Sequence, residues 1–538
     1  MTAGSEPPSQ LFSREEVLEL LAAQEARIRE QSAEAGDFRQ SRLYRDPRML
    51  PALLFCLVAG LFLYCAWPGV SIGFDSDDVM NLEVAWDQPF QTFAVANLVP
   101  FTSFYRPAGA AYYRLCFALF GWRPQAFRLV TVGLLLTNLL LVYLLARRLT
   151  GSAETGVISA MIYSFHGRLR QIYMSNGTVY DVLCGTLTLT TLLYYIALRE
   201  RRQPTKFRQY LLLLWLFTAA VNAKEVAAIV PALVLLYEWI YHPPDSRKVR
   251  TMAIWLWKHG RVAALMLLLA GLAFWGKQRP GAIFHGLPLY APSFTVRRFF
   301  QNERRLLEDL FYLGEGGINT TKVVLFYTAL FGLAAFSRRK HLWFAACFVF
   351  VAPLPFIFIP YRGFFVMYVP FIGASIYAAA ILVEARDRLW RWLMYGRSVP
   401  VNPWAAARVL TIALLVILIP SGRNRDPLTG IEVENPAFRY IADTHDDILH
   451  LNEPLPEGAR VLLLNCRYPD ESWGPLMMMR LLYRDRTLWV DRPAMMSAIP
   501  DETERAKYDR IIDMRGDKWV VIRKKAGSIR PASLRLPR

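Results

Sequence analysis

Long apolar stretches recur along most of this chain, and they constrain its fold more than any other sequence feature. A helix that crosses the hydrocarbon core of a membrane needs about 20 predominantly apolar residues. Candidate spans lie at about 50–68, 126–146, 153–166, 179–198, 208–222, 226–241, 262–275, 323–337, 342–360, 363–383 and 409–420. We therefore predict an α-helical, multi-pass integral membrane protein with about 11 transmembrane helices.

The composition agrees with a membrane protein and excludes several other classes. Of the 538 residues, 54% are hydrophobic and 20% are charged, whereas soluble domains average about 25% charged residues. A disordered chain, a coiled coil and a disulfide-stapled secreted module are therefore excluded. Five of the six cysteines lie in or beside apolar stretches and no CxxC pair occurs, so a zinc or thioredoxin-type site has no support.

The formal net charge of +18 reflects membrane orientation rather than nucleic-acid binding. Short cytoplasmic loops are rich in Lys and Arg. Basic residues cluster at Arg147 and Arg148 and within 199–208, 245–250, 338–340 and 386–408. We therefore predict a cytoplasmic N-terminus, outer loops at 69–125 and 276–322, a C-terminus on the outer face, and no nucleic-acid partner.

Three regions are predicted. Residues 1–49 form a cytoplasmic region with an amphipathic surface helix, which the capping pattern Ser13-x-x-Glu16 introduces. Residues 50–420 form the transmembrane domain. In 421–538, short β-like runs at 460–465, 487–490 and 519–523 predict a small α/β domain on the outer face.

The first outer loop concentrates three carboxylates at Asp75, Asp77 and Asp78. Like charges this close repel one another, so a basic group, a divalent metal or a catalytic role should offset the cost. A carboxylate here could act as a general base on an incoming hydroxyl, or the cluster could hold a divalent cation through oxygen ligands. The alternative is a solvated acidic loop, or an Asp that caps the helix VMNLEVAW.

Further along the same loop, Tyr105 and Arg106 form an aromatic-basic pair. A planar guanidinium beside aromatic rings suits bidentate phosphate binding. The alternative is an Arg that extends to the membrane surface among interfacial tyrosines.

Ionisable residues inside apolar segments form a second group of candidates. Asp181 opens a predicted span, and Lys224 and Glu225 lie between two apolar runs. Such residues are expensive to bury unpaired and are functional candidates by default. Alternatively, Lys224 and Glu225 neutralise each other. His285 and Arg362 are further candidates for the same cavity.

In their order along the chain, these motifs resemble those of the C-type membrane glycosyltransferases (GT-C), most closely the protein O-mannosyltransferase/TMTC-like branch. The resemblance covers roughly residues 50–385. It rests on the acidic motif after the first span and on the matches at Phe104–Ala108, Thr178–Asp181, Ala223–Glu225 and Tyr368–Gly373. Two features depart from the family: Phe365 occupies the position of a Glu-Arg pair, with Arg362 as the nearest cation, and 421–538 has no 34-residue repeat.

The resemblance implies an inverting transferase that moves a sugar, mannose in that branch, from a polyprenyl-phosphate donor to a hydroxyl acceptor on a protein or glycan. One of the Asp75, Asp77 and Asp78 carboxylates would be the base. Arg106 and Lys224 would bind the departing phosphate, and Asp181 would assist substrate binding.

The acceptor would arrive from the periplasm or lumen, and the favoured location is a bacterial inner membrane. A rival interpretation is a transporter or flippase that moves a polyprenyl-linked sugar without transfer chemistry. It would explain the ionisable residues within the membrane but not the carboxylate cluster in an outer loop.

Overall fold

The structure is a computed structural model that describes residues 49–201, 203–279, 291–393, 436–466, 468, 473–493, 496, 500–515, 519–524 and 531–532. The chain divides into two units, Met1–Val58 and Ala59–Arg538. In the first unit, the described residues are the opening turns of one helix. The predicted surface helix in 1–49, the predicted span 409–420 and the predicted boundary at 421 lie outside the described residues.

Helices dominate the described residues. In chain order they are α1 Met49–Ala66, α2 Ser76–Asp87, α3 Phe90–Leu98, α4 Pro107–Phe120, α5 Pro124–Thr150, α6 Ala153–Phe165, α7 Gln171–Met174, α8 Val179–Glu200, α9 Phe207–Ala223, α10 Val230–Tyr241, α11 Val249–Lys277, α12 Val296–Leu310, α13 Thr320–Ser337, α14 Lys340–Val351, α15 Leu354–Ile357, α16 Pro370–Leu393, α17 Pro436–Leu451, α18 Gly474–Tyr483 and α19 Glu502–Arg505.

Within the described part of the chain, six helical segments are long and apolar enough to cross a membrane, as expected of an integral membrane protein. They are Ala52–Ser71, Pro124–Thr150, Asn176–Glu200, Val249–Lys277, Thr320–Ser337 and Lys340–Ile357. The predicted spans 153–166, 208–222 and 226–241 coincide with α6, α9 and α10, which contain 13, 17 and 12 residues. The count of 11 stays a prediction.

Two irregular segments interrupt the helices where polar residues enter the protein interior. The 3₁₀ turn Asn176–Thr178 precedes α8 and places Asp181 in its first turn. Lys224 ends α9 in an extended conformation and a second 3₁₀ turn, Glu225–Ile229, leads into α10. Non-helical backbone at membrane depth is tolerated where protein buries it or where it lines a cavity.

The described residues between 455 and 532 include six short strands: β1 Leu455–Pro456, β2 Arg460–Leu464, β3 Trp489–Asp491, β4 Arg510–Asp513, β5 Val520–Lys524 and β6 Pro531–Ala532. Four of them form a sheet in the order β3-β2-β4-β5, and β1 pairs with β6. β2 is parallel to both of its neighbours, whereas β4 and β5 are antiparallel. β2, β3 and β5 overlap the runs that the sequence predicts, whereas β4 was not predicted.

The C-terminal helices and the membrane helices share one hydrophobic core. Ile441 of α17 and Met478 and Leu481 of α18 belong to the same buried cluster as Leu82 of α2 and Tyr180 of α8. α17 and α18 therefore pack directly against α2, the helix that carries Asp77.

Candidate functional site

One cavity of about 270 Å³ brings most of the predicted site residues together. The start of α2, the loop before α4, the start of α8, the break between α9 and α10, the end of α11 and the segment 355–366 form its wall. The predicted residues that line it are Asp77, Tyr105, Arg106, Asp181, Lys224, Glu225 and Arg362. Phe274, Phe356, Ile359 and Phe365 line an apolar part of the same wall. Polar and lipid-like groups could therefore both be accommodated.

Two of the three clustered carboxylates fix the start of α2 and do not line this cavity. Asp75 Oδ1 accepts a hydrogen bond from the Asp78 backbone N–H at 2.8 Å, and Asp78 Oδ2 accepts from the Asp75 N–H at 3.1 Å. This reciprocal pair is a capping box. Ser175 Oγ also donates to Asp75 Oδ2 at 2.6 Å. The capping alternative from the sequence therefore holds for Asp75.

Asp78 is fully buried and has partners of its own. Its Oδ1 accepts from the Tyr113 hydroxyl at 3.0 Å, and its Oδ2 lies 3.7 Å from Arg128 Nη2. Burial raises the pKa of the Asp78 carboxyl well above its usual value, and the Asp75 charge adds to this, although Arg128 opposes it. This carboxyl faces the protein interior rather than a substrate.

Asp77 points into the cavity, and its carboxylate has no hydrogen bond or ion pair with any described residue. Partial burial and the nearby Asp75 charge raise the pKa of the Asp77 carboxyl, while the positive charge of Arg362 lowers it. A carboxylate with free lone pairs and a raised pKa is a stronger base than an ordinary Asp. Gly177 lies so close that an added Cβ would be 3.2 Å from Asp77 Cβ.

The three clustered carboxylates direct their oxygens to different surroundings. Asp75 and Asp78 direct oxygens to the capping box, to Ser175 and to Tyr113, whereas Asp77 faces the cavity. Within the described ranges, no group of three or more His, Cys, Asp or Glu side chains is arranged to hold a metal ion.

Arg106 belongs to a buried charge network around Glu225. Its Nη2 lies 3.0 Å from Glu225 Oε2, and Lys277 Nζ lies 2.9 Å from Glu225 Oε1. The Arg106 guanidinium also lies over the rings of Tyr105 and Tyr180, 4.4 and 5.4 Å from their centroids. Arg106 has a positive φ of 47°, a strained conformation for a residue with a Cβ. Such strain is often retained at functional sites.

Lys277 is the residue of this network that the sequence reasoning missed. Only 1% of its side chain is exposed. Its position at the end of the apolar run GLAFWGK could have identified it from the sequence. An ionisable residue at the end of a span needs either an ion-pair partner or access to the membrane surface. Close packing helps it reach Glu225: a Cβ on Gly276 would lie 2.4 Å from the Phe101 carbonyl oxygen.

Lys224 pairs with Asp181 rather than with its neighbour Glu225. Its Nζ lies 2.6 Å from both carboxylate oxygens of Asp181. It also lies 5.0 Å from the centroid of the Phe365 ring, at the position where the sequence departs from the family pattern. The alternative that Lys224 and Glu225 neutralise each other is therefore wrong. Each is paired across the cavity wall with a different element.

The last two predicted residues have different outcomes. Arg362 lines the cavity, and its charge influences Asp77. His285 lies outside the described residues, so its assignment stays a prediction.

Comparison with known proteins supports the resemblance that the motifs predict. Residues 105–275 match the family model of the dolichyl-phosphate-mannose-protein mannosyltransferases. This match confirms the predicted resemblance to membrane glycosyltransferases over that segment, which includes Tyr105, Arg106, Asp181, Lys224 and Glu225. A comparison with curated proteins finds no match.

Two solved structures are similar to this chain at low sequence identity. The archaeal oligosaccharyltransferase AglB from Archaeoglobus fulgidus, in complex with an inhibitory peptide and a dolichol-phosphate, aligns with 14% identity and a TM-score of 0.46 over 82% of this chain. This chain covers 64% of the AglB chain. ArnT from Cupriavidus metallidurans in the apo state aligns with 14% identity and a TM-score of 0.48, covering 86% of this chain and 93% of that one.

Proposed function

We propose that this chain, a membrane protein whose residues 105–275 match a mannosyltransferase family model, transfers a sugar from a polyprenyl-phosphate donor to a hydroxyl acceptor. One observation carries the proposal: the unpartnered Asp77 carboxylate shares a single cavity with the cations Arg106, Lys224 and Arg362. A base and a set of phosphate-binding cations around one space are what an acceptor hydroxyl and a sugar phosphate require.

Asp77 is the proposed general base. Its carboxylate takes the proton of the acceptor hydroxyl as the oxygen attacks the anomeric carbon of the donor sugar. The bond between that carbon and the phosphate oxygen breaks, and its electron pair leaves with the phosphate. Attack from the face opposite the phosphate inverts the anomeric configuration. The raised pKa of the Asp77 carboxyl favours this proton transfer.

The cations stabilise the departing phosphate, whose negative charge grows as the bond breaks. Apart from Asp77, the network holds the four cations Arg106, Lys224, Lys277 and Arg362 and the two carboxylates Asp181 and Glu225. The four cations outnumber these two carboxylates, and the resulting positive charge stabilises the negatively charged phosphate as it leaves. Asp181 and Glu225 keep Lys224 and Arg106 ordered before the donor arrives, which lowers the cost of reorganisation.

The site would lie on the outer face of the membrane. Asp181 opens α8 and Arg199 lies in its last turn, so the cavity and the basic end of α8 are separated by about 27 Å, at 1.5 Å per residue. With basic loops inside, the N-terminus is cytoplasmic and the C-terminus is periplasmic, in a bacterial inner membrane. The donor lipid would enter past Phe356 and Phe365, and the hydrophilic acceptor would arrive from the aqueous side.

The test is a transfer assay with purified protein in nanodiscs. The protein is incubated with a polyprenyl-phosphate-linked radiolabelled sugar, mannose first, and with protein and glycan acceptors, and labelled acceptor and free polyprenyl phosphate are measured. Asp77→Asn should lower kcat by about 10²- to 10⁴-fold, the usual contribution of a general base. Glu200→Gln, a half-exposed carboxylate at the end of α8 away from the cavity, is the control and should retain activity.

Two results would count against the proposal. Full activity in Asp77→Asn would remove Asp77 from the base role and direct the search back to Asp75 and Asp78. If no donor yields transfer while protein reconstituted in vesicles moves the lipid-linked sugar between leaflets, the transporter interpretation is correct.

A further inference from the structure

The helix that carries Asp77 lies between the cavity and the C-terminal part of the chain. Its first turns bring Asp77, Met80 and Asn81 to the cavity wall. Its later turns carry Glu83 and Trp86, which contact α18 and the loop that follows α18. A movement of α18 would therefore act on the same rigid helix that presents the proposed base.

An ion pair joins α18 to the middle of α2. Arg480 Nη1 lies 3.1 Å from Glu83 Oε1, and 22% and 11% of the two side chains are exposed. Arg480 is itself held in place, because its Nε donates to the Leu488 carbonyl at 3.0 Å and its guanidinium lies 5.9 Å from the Trp489 ring centroid. These contacts hold the Arg480 side chain against strand β3 and the residue before it. The ion pair with Glu83 in turn restrains α2.

A second arginine closes the end of α2. Arg486 Nη2 donates to the Trp86 carbonyl at 2.9 Å, and its Nε lies 3.7 Å from Asp87 Oδ1. The last carbonyl groups of a helix have no partner within the helix, and a cation there also complements the helix dipole. Arg480 and Arg486 thus anchor α2 at two points away from its catalytic end.

We propose that Arg480 is a positioning residue for the reaction, and that the C-terminal α/β region serves to hold α2 so that Asp77 meets the acceptor hydroxyl. This inference rests on the proposed function of Asp77. Glu83 is six residues beyond Asp77, about 9 Å along the axis of a continuous helix. A continuous helix transmits a shift at Glu83 toward Asp77, and a misplacement of about 1 Å can cost about 100-fold in rate.

A charge-swap experiment tests the proposal. In the nanodisc transfer assay, Arg480→Glu should lower kcat by about 10- to 100-fold. The KM for the donor should stay within about twofold of the wild-type value, because the cations that bind the donor phosphate lie on other elements. The double variant with Glu83→Arg and Arg480→Glu restores opposite charges and should recover most of the loss. The matched control is Arg460→Glu, which breaks the ion pair with Asp491 inside the sheet and should leave kcat unchanged.

Hydrogen exchange supplies a readout that does not depend on activity. Amides in residues 76–87 should exchange faster in Arg480→Glu than in the wild type, and the double variant should restore protection. Wild-type kcat with unchanged exchange in Arg480→Glu would overturn the inference. So would a double variant that folds without recovering rate. If the wild type itself transfers no sugar, the proposed function fails, and the exchange result still decides whether Arg480 holds α2.

Discussion

Replacing Glu225 with Gln should destabilise the protein through Lys277, which would lose its only described carboxylate partner. Breaking a buried ion pair by removing one partner costs about 3–5 kcal/mol, because an uncompensated charge stays buried. Lys277 is 1% exposed, but Glu225 is 17% exposed. Water can therefore reach part of the site, and we expect the lower end, about 3 kcal/mol.

The assay is denaturant titration in micelles, with the free energy of unfolding compared between variants. The double variant with Glu225→Gln and Lys277→Met also removes the buried Lys277 charge and should recover part of the loss. The recovery should be incomplete, because Arg106, which is 12% exposed, also loses its ion pair with Glu225. Glu200→Gln is the matched control: it breaks the exposed Arg148–Glu200 pair and should cost less than about 1 kcal/mol. If Glu225→Gln costs no more than Glu200→Gln, the charge network is not what holds Lys277.

Two further predictions concern the base and its surroundings. The Asp77 carboxyl can accept a proton only when it is ionised, and its pKa is raised. As the pH is lowered, kcat should therefore begin to fall at a higher pH than it would for an Asp with the usual pKa. A profile of kcat against pH that is flat down to pH 4 would contradict this prediction. Gly109→Ala should cost about 1–3 kcal/mol, because the new Cβ would lie 2.0 Å from the Tyr180 ring. It should also lower activity, because the Tyr180 hydroxyl donates to Asn81 Oδ1 at 2.8 Å and Asn81 lines the cavity. Gly133→Ala, with nothing within 4 Å, should be neutral in the same unfolding and transfer assays.

The charged residues that line the cavity could be predicted from the sequence, because burying a charge has a high energetic cost and charges within apolar segments are therefore rare. Arg106, Asp181 and Lys224 interrupt or flank apolar segments, where an unpaired charge would be expensive. The cost of buried charge therefore predicts which residues belong to the site, but not which ion pairs they form. Partnership depends on where α9 stops: Lys224 is extended while Glu225 begins a 3₁₀ turn, so adjacent side chains reach different elements.

The span count was harder to predict because several helices are short. α6 and α10 contain 13 and 12 residues, fewer than the roughly 20 that a lipid-exposed span needs. Much of both helices is buried against neighbouring helices, so protein replaces lipid as their surroundings. Hydropathy alone cannot distinguish such a helix from a full span, because either environment favours apolar side chains.

For the three clustered carboxylates, the local spacing of the residues helps to separate structural roles from catalytic ones. Asp75 and Asp78 are three residues apart at the start of an apolar helix, and this is the spacing of a capping box. The capping-box pattern therefore assigns a structural role to these two carboxylates and leaves Asp77 without one. The structure supplies a second reason. Of the acidic residues that line the cavity, Asp77 is the one without a hydrogen bond or ion pair to a described residue, whereas Asp181 and Glu225 are paired with cations. Paired groups resist a change of protonation because each proton would break a contact. A base needs unoccupied lone pairs, so the pattern of pairing, more than the density of charge, points to Asp77.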